Sequence, residues 1–351
     1  MRVFLTGATG FVGMEVLARL LERGDDVHAL VRARDAAAAE QRLDEVLAKL
    51  WRDPSPYRGG VRALVGDVTV DGLGLEGGLP PVDAVVHCAA SIEFSLPLEE
   101  ARAINVEGTR RVLELTQRAG VGRYVHVSTA YVAGTTSGRF RERQLDIGQA
   151  FRNTYEQTKW ETEHLVAASG LDAVIARPSI VVGESASGWT PVFNVLYWPL
   201  RAFQRGLFDE VPVLPHARVD VVPVDFVADG IVALLDREDA GAFNLVASEE
   251  ASTVTDLVEL ACARFERPPP RLVDPGAGSD GAGSDHGAVY LPYFDMELIF
   301  DDQRTRTLLG MRPPRFRDYF GTLMDYADLA RWGKKPLSRE EARSRALSML
   351  S

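Results

Sequence analysis

Cysteine is almost absent from this chain. Of 351 residues only Cys88 and Cys262 are cysteine, and they lie far apart with no metal-ligand spacing. That leaves no basis for a disulfide framework or a zinc site, and no metal is expected. Long apolar runs are missing too. None approaches the ~20 residues that span a bilayer, so no integral membrane segment is expected. Basic residues are in deficit, 39 Lys and Arg against 50 Asp and Glu, a net charge of −11 with no basic tract. This argues against general nucleic-acid binding while leaving room for a local basic pocket. The first residues read as a strand and a glycine-rich turn rather than a leader, and a cytoplasmic location is the expectation. Apolar side chains are plentiful, at 46% of the chain. That is enough for the core of one large α/β domain, or of one domain with a smaller lobe.

The most informative stretch is Thr6-Gly7-Ala8-Thr9-Gly10-Phe11-Val12-Gly13, directly after the apolar run Val3-Phe4-Leu5. A strand runs into a glycine turn, and the turn into an amphipathic helix carrying Val12, Val16, Leu17, Leu20 and Leu21. Gly7 permits the tight turn, Gly10 lets the backbone approach phosphates, and Gly13 allows close helix packing. The pyrophosphate of a dinucleotide would then face the positive end of that helix.

Continuous apolar runs predict strands at 2–6, 26–31, 61–65, 82–87, 122–127 and 171–177. Helical patterns fall between them at 10–23, 35–50, 98–119 and 153–169. This alternation is that of a doubly wound parallel sheet, a Rossmann α/β fold. After Gly183 the texture changes. Residues 189–208 carry Trp189, Phe193, Tyr197, Trp198, Phe203 and Phe208. A short strand and a helix are expected over 219–235, a strand over 242–247 and a helix over 253–266. A Gly/Asp/Ser-rich loop is expected over 274–288, and helical patterning over 294–332. Residues 1–183 are read as the cofactor domain, its sheet completed by parts of 219–247. Residues 184–351 are read as mainly a smaller substrate lobe with C-terminal helices, the tail from Arg339 being a surface helix.

Tyr155 and Lys159 are four apart on a predicted helix and share a face. An ammonium near a phenol favours the phenolate, so the pair suits proton transfer to a carbonyl oxygen. Ser128 and Thr129 follow the buried strand expected over 122–127, at the sheet edge where α/β folds bind ligands. They serve equally well as a plain strand terminus.

Together these features resemble the extended short-chain dehydrogenase/reductase family. The resemblance runs through the glycine loop, Gly66-Asp67-Val68, His87-Cys88-Ala89-Ala90, Asn105-Val106-Glu107-Gly108-Thr109, Ser128-Thr129, Tyr155 with Lys159, and Arg177-Pro178, over roughly the first 230 residues. It implies a Rossmann domain with a C-terminal substrate lobe. Tyr155 becomes the catalytic acid/base. Lys159 becomes the group that holds the nicotinamide ribose and depresses the Tyr155 pKa. Thr129, five before Gly134, becomes the active-site hydroxyl. The cofactor side comprises Gly7, Thr9, Gly10, Phe11 and Val12 of the loop, Asp67 and Val68 at the adenine, Ala89, Ala90 and Ser91, then Val127 and Ser128, with Pro178 and Ile180 beside the carboxamide. Asn105 is expected to hold backbone in place at that side. NAD enzymes usually end the second strand on an acidic residue. Here it ends Val31-Arg32-Ala33-Arg34, and Arg32 suits a 2′-phosphate, with Arg42 as a second contact. NADPH is expected over NADH.

A finer resemblance is to the fatty acyl-CoA reductase (male-sterility-like) and thioester reductase branch. It rests on Leu30-Val31-Arg32-Ala33 before a helix ending Gln41-Arg42-Leu43, on Ser91-Ile92-Glu93-Phe94 leading to Ile104-Asn105, on Asn153-Thr154-Tyr155, and on Val219–Val227. It implies reduction of an acyl thioester, on coenzyme A or an acyl carrier protein, to an aldehyde, with the further step to alcohol open. Phe94 and Thr129 are expected at the substrate, with Trp189 and Phe193 in an apolar wall for the chain. For the aromatic stretch, ordinary lobe core is the competing reading. Other readings stay open: a reductase or epimerase acting on a hydroxysteroid, sugar nucleotide or aldehyde, and a non-catalytic NADP-binding regulator, against which the Tyr/Lys pair argues. Oligomeric state is not legible.

Overall fold

The computed structural model describes the chain except Asn194, Phe208, residues 275–289 and Ser351. Phe208 and nearly all of the loop expected at 274–288 thus lie outside the described residues. The chain opens on β1 (Arg2–Thr6), α1 (Phe11–Arg23), β2 (Asp26–Val31), α2 (Ala36–Leu50), the single turn α3 (Ser55–Arg58) and β3 (Val61–Val65). Next come β4 (Ala84–His87), α4 (Leu98–Ala119), β5 (Arg123–Val127), the short β6 (Gly138–Phe140), α5 (Thr154–Ala168) and β7 (Ala173–Pro178). Six of these strands, with β12 (Gly241–Leu245), form one all-parallel sheet in the order β3-β2-β1-β4-β5-β7-β12. The fold is the doubly wound Rossmann sheet that the alternation predicts.

Both faces of the sheet are covered, which is why its strands read as unbroken apolar runs. Val3, Phe4 and Leu5 are fully buried, and every residue of β5 is buried. Against one face pack α1, α2 and α7 (Val224–Leu235), through Val16, Leu17, Leu43, Leu47, Ile231 and Leu234. Against the other pack α4 and α5, through Val112, Leu113 and Val166. Local chemistry sets the helix ends. The Asp35 side chain accepts from Ala38 N–H at 2.8 Å to start α2, and Asn153 accepts from Glu156 N–H at 3.0 Å to start α5.

A second core lies beyond the C-terminal edges of the strands. Into it pack α6 (Tyr197–Gln204), α8 (Val254–Phe265) and α9 (Phe316–Leu329). Two-residue and three-residue strand pairs brace it: β8 (Ile180–Val182) with β11 (Val221–Pro223), β9 (Glu210–Pro212) with β14 (Arg271–Val273), β10 (Arg218–Val219) with β13 (Ser252–Thr253), and β6 with β15 (Leu298–Phe300). The last pair corrects the expectation of helix throughout 294–332. Leu298, Ile299 and Phe300 extend the edge offered by Gly138–Phe140, and helix resumes as α9.

The tail also departs from expectation. In α10 (Arg339–Leu350), Arg339 is 1% exposed and pairs with fully buried Glu15 of α1 at 3.2 Å, and with Glu22. Its guanidinium also lies over the Trp51 ring. Arg343 donates to buried Glu184 at 2.8 Å. The first turns of α10 therefore clamp α1 to the segment after β8, and only the outer face is surface.

Candidate active site

The order of the sheet reverses between β1 and β4, so the loops that follow them part and leave a cleft. Gly7 turns there with φ +76°, and a Cβ on it would lie 2.7 Å from the Ala89 nitrogen. A Cβ on Gly13 would lie 2.1 Å from the Gly7 carbonyl oxygen. Only glycine fits at either position. Thr6 ties the two loops: its Oγ1 hydrogen-bonds His87 Nδ1 at 2.7 Å and accepts from Ala89 N–H at 3.2 Å. Burial holds the His87 pKa down to about 3, so this histidine is a neutral structural link. A dinucleotide fits the cradle. The loop turns bare glycine backbone toward the cleft, and Gly10 starts α1 without a side-chain cap, leaving the first helical N–H groups for an anion.

The cleft encloses about 490 Å³, and its wall includes Thr129, Tyr155 and Lys159. Thr129 closes the segment after β5. Its Oγ1 accepts from Tyr131 N–H at 3.2 Å and donates to the Pro178 carbonyl oxygen at 3.3 Å, and it shares the cleft wall with Tyr155. Burial pushes the Tyr155 phenol up to about 12, with the Thr129 side chain pulling the other way. Lys159 is 3% exposed and its Nζ donates to the Val127 carbonyl at 2.6 Å. Burial lowers the Lys159 pKa to about 8, opposed by the charge of Glu163 one turn on. In this structure the Thr129 side chain draws the Tyr155 pKa down, and the Lys159 ammonium is turned to the Val127 carbonyl. Beneath them Ser128 Oγ donates to Glu163 at 2.5 Å. Glu163 is paired in turn with Arg177, whose guanidinium also donates to the Glu142 and Gln144 carbonyls at 3.0 Å. Ser128 reaches the cleft wall, but its hydroxyl belongs to this buried network.

Gly7, Thr9, Gly10, Phe11, Val12, Ala90, Val127, Pro178 and Ile180 all line the cleft, as does Phe94. Ala89, Ser91 and Asn105 stand just behind it. The Asn105 side chain accepts from Ser91 N–H at 2.7 Å and donates to the Ser91 carbonyl and to Thr158 at 3.1 and 3.0 Å, pinning the 88–94 loop to α5. Arg32, Arg42, Asp67 and Val68 lie outside the wall, at the ends of β2 and β3 and on α2. Arg32 is exposed and makes no ion pair among the described residues. Arg42 donates to its carbonyl. Asp67 accepts from Thr69 N–H at 2.8 Å.

Two expected substrate residues are elsewhere. Trp189 is 1% exposed in the core, and its indole N–H donates to the Leu337 carbonyl at 3.0 Å. A buried indole needs such a partner, and this one takes Trp189 out of the cleft. Phe193 packs on Tyr197, Tyr326 and Trp332, with centroids 5.1, 6.2 and 6.0 Å away, and does not line the cleft either. The wall instead includes Tyr290 and Tyr293, which sequence reasoning did not single out. Phe94 stacks on Tyr155 at 5.6 Å and touches the rings of Tyr290 and Tyr293 at 5.6 and 5.4 Å. Asn153 donates to the Tyr293 hydroxyl at 2.7 Å, so the residue that caps α5 also fixes this wall. The clustered aromatics of Tyr290-Leu-Pro-Tyr-Phe294 were the available signal. Lys49 also reaches the cleft.

Sheet order and glycine cradle are those of an extended short-chain dehydrogenase/reductase, a class of NAD(P)-dependent oxidoreductases. The profile of the male sterility protein family matches residues 5–231. The chain belongs to that family. It is 30% identical over 278 residues to fatty acyl-CoA reductase wat of Drosophila melanogaster, covering 66% of this chain and 53% of that one. It is 31% identical over 252 residues to nonribosomal peptide synthetase asaC of Aspergillus flavus, covering 66% of this chain and 24% of that one. The chain thus spans about half of the fly relative and a quarter of the fungal one. Among solved structures it is similar to the terminal R domain from the myxalamid PKS-NRPS biosynthetic pathway, with a TM-score of 0.80, 24% identity, and 95% and 92% of the two chains covered. Among the described residues no helix is long and apolar enough to cross a membrane.

Proposed function

We propose that the chain reduces an acyl thioester, carried on coenzyme A or an acyl carrier protein, to the aldehyde at the expense of NADPH. One observation carries the reading. Thr129 and Tyr155 line a cleft whose wall is largely apolar, with Ile92, Phe94, Val192 and Val195 alongside Tyr290 and Tyr293. A sugar needs polar partners around its hydroxyls, whereas an alkyl chain is held by area alone. The fatty acyl-CoA reductase and R-domain relatives support the same substrate class. Residues 1–183, with the β11–β12 region, would carry the cofactor, and 184–351 mainly the substrate lobe.

A nicotinamide cofactor supplies the hydride when bound. The chain's residues do the rest. Thr129 and Tyr155 hydrogen-bond the thioester oxygen and stabilise the charge that develops on it. With its pKa near 12, Tyr155 is a proton donor at neutral pH, and its proton passes to that oxygen as the carbon is reduced. The hemithioacetal then loses its hydroxyl proton as the C–S bond breaks. Thiolate leaves, takes up a proton, and aldehyde remains. Lys159 would hold the ribose hydroxyls from its seat on Val127, and Arg32 the 2′-phosphate.

The test is turnover of NADPH with acyl-CoA and acyl carrier protein thioesters, following nicotinamide absorbance and free thiol together. One thiol per NADPH is expected for aldehyde, and one per two for alcohol. Ketone or alcohol turnover without thiol release overturns the reading. Tyr155→Phe should abolish chemistry and leave cofactor binding nearly intact; surviving activity removes Tyr155 from its role.

A further inference from the structure

Behind the cleft, between α6, α8 and the β9–β14 pair, lies a groove lined by Trp198, Phe203, Leu257, Val258 and Leu272 among other apolar side chains. Two short segments separate it from the cleft. Tyr290 lines both spaces. On the turn Leu291–Phe294, Tyr293 faces the cleft while Leu291 and Phe294 face the groove. In the other segment Val195 lines the cleft and Leu196 the groove. Val195 has φ +40°, a costly backbone for a β-branched residue and one that ligand sites tend to hold. Tyr290 thus stands on the partition itself, and the Phe94 ring packs against both it and Tyr155, its centroid 5.6 Å from each.

We propose that the groove receives the distal methylenes of the acyl chain whose thioester sits at Thr129 and Tyr155, and that Tyr290, at the junction, sets chain-length preference. The proposal rests on the thioester reading and extends it to a long-chain substrate. An alkyl chain is the occupant the groove fits. It needs no hydrogen-bond partner, whereas a peptide brings backbone groups that this wall cannot satisfy. The groove also adjoins the one place where a tethered chain would arrive. The aromatic stretch 189–208 thus splits: Trp189 and Tyr197 are core, while Trp198 and Phe203 meet the chain's far end.

The experiment compares kcat/KM for hexanoyl- through octadecanoyl-CoA in the wild type, Val258→Trp and Tyr290→Ala. Each methylene buried is worth about fourfold in binding, so the wild-type profile should climb once the chain passes Tyr290. Val258→Trp fills the groove and should cut the octadecanoyl-to-hexanoyl ratio at least tenfold. Tyr290→Ala widens the junction and should raise it. Ratios unmoved by both substitutions, with all chain lengths falling in parallel, overturn the proposal. A readout without turnover is quenching of Trp198 fluorescence by 16-bromohexadecanoic acid, taken as the difference from Trp198→Phe. Quenching is expected, and no difference overturns the groove assignment. Quenching with no thioester turnover would sink the reductase reading and leave the groove standing; turnover with a flat profile and no quenching would do the reverse.

Discussion

Raising the pH above 8 should cost this protein cofactor affinity and give it stability, through one side chain. Lys159 is 3% exposed, and burial brings its pKa from 10.5 to about 8. Below pH 8 it carries its charge in both the folded and the unfolded chain, and the folded chain bears the desolvation cost. Between pH 8 and 10.5 the folded chain has released the proton while the unfolded chain keeps it. The unfolded state then binds more protons, so stability rises with pH across that window. The shift corresponds to about 3 kcal/mol. Cofactor affinity should run the opposite way, since the ribose hydroxyls lose a charged donor. Tyr155, pushed up to about 12, stays protonated throughout and adds no limb of its own. Two measurements check this. One is kcat/KM with NADPH as the varied substrate, with NADPH binding by fluorescence, from pH 6.5 to 10; an alkaline limb near 8 is expected. The other is urea unfolding of wild type and Lys159→Met over the same range. The stability difference should move in favour of the wild type by up to about 3 kcal/mol as pH rises. A difference that stays constant from pH 7 to 10, or an affinity with no limb below pH 10, refutes the reasoning.

Gly13→Ala should destabilise the fold by about 1–3 kcal/mol and abolish cofactor binding, because the new methyl lands on the Gly7 carbonyl; urea unfolding and NADPH titration read both effects. Arg32→Ala should weaken NADPH binding by about 10- to 100-fold, the loss of a charge-assisted contact, while changing NADH binding about twofold or less; equal losses for the two cofactors refute the phosphate role. Arg339→Ala leaves fully buried Glu15 without one of its two arginines and should cost about 3–5 kcal/mol in urea unfolding; a loss under 1 kcal/mol would show that Arg19 alone suffices.

The strands of the sheet were legible because burial on both faces writes each as an apolar run, and α2 and α5 because Asp35 and Asn153 mark their starts locally. Elements held from afar were not. Nothing around Leu298–Phe300 announces a strand until Gly138–Phe140 is beside it. Trp189 and Trp198 look alike in the sequence. What sends one to the core is a carbonyl at Leu337, 148 residues away. The Tyr155–Lys159 spacing placed both on one face of α5, but the direction of the ammonium is decided by Val127 on another element. The charges of α10 read as solvated surface because their partners, Glu15 and Glu184, stand more than 150 residues upstream.

The two halves of the site differ in legibility for a chemical reason. A pyrophosphate is met by backbone N–H groups, and backbone can approach only where side chains are missing. Glycines at 7 and 13 are therefore obligatory, and with Gly10 they fall close together in the sequence and are visible. The acyl chain proposed as substrate would be met by area, and any apolar side chain supplies area, so its wall could be drawn from Phe94, Val195 and Tyr290, about a hundred residues apart. No spacing marks them. Between these extremes stand Thr129 and Tyr155, whose residue types follow from the proton transfer proposed for them while their meeting in one cleft wall is dictated by the fold, since they stand 26 positions apart. Substitutions on the substrate wall should accordingly shift which thioester is taken far more readily than substitutions in the glycine loop shift which cofactor is bound: area can be redistributed among many side chains, whereas the room that Gly7 and Gly13 leave can be supplied in no other way.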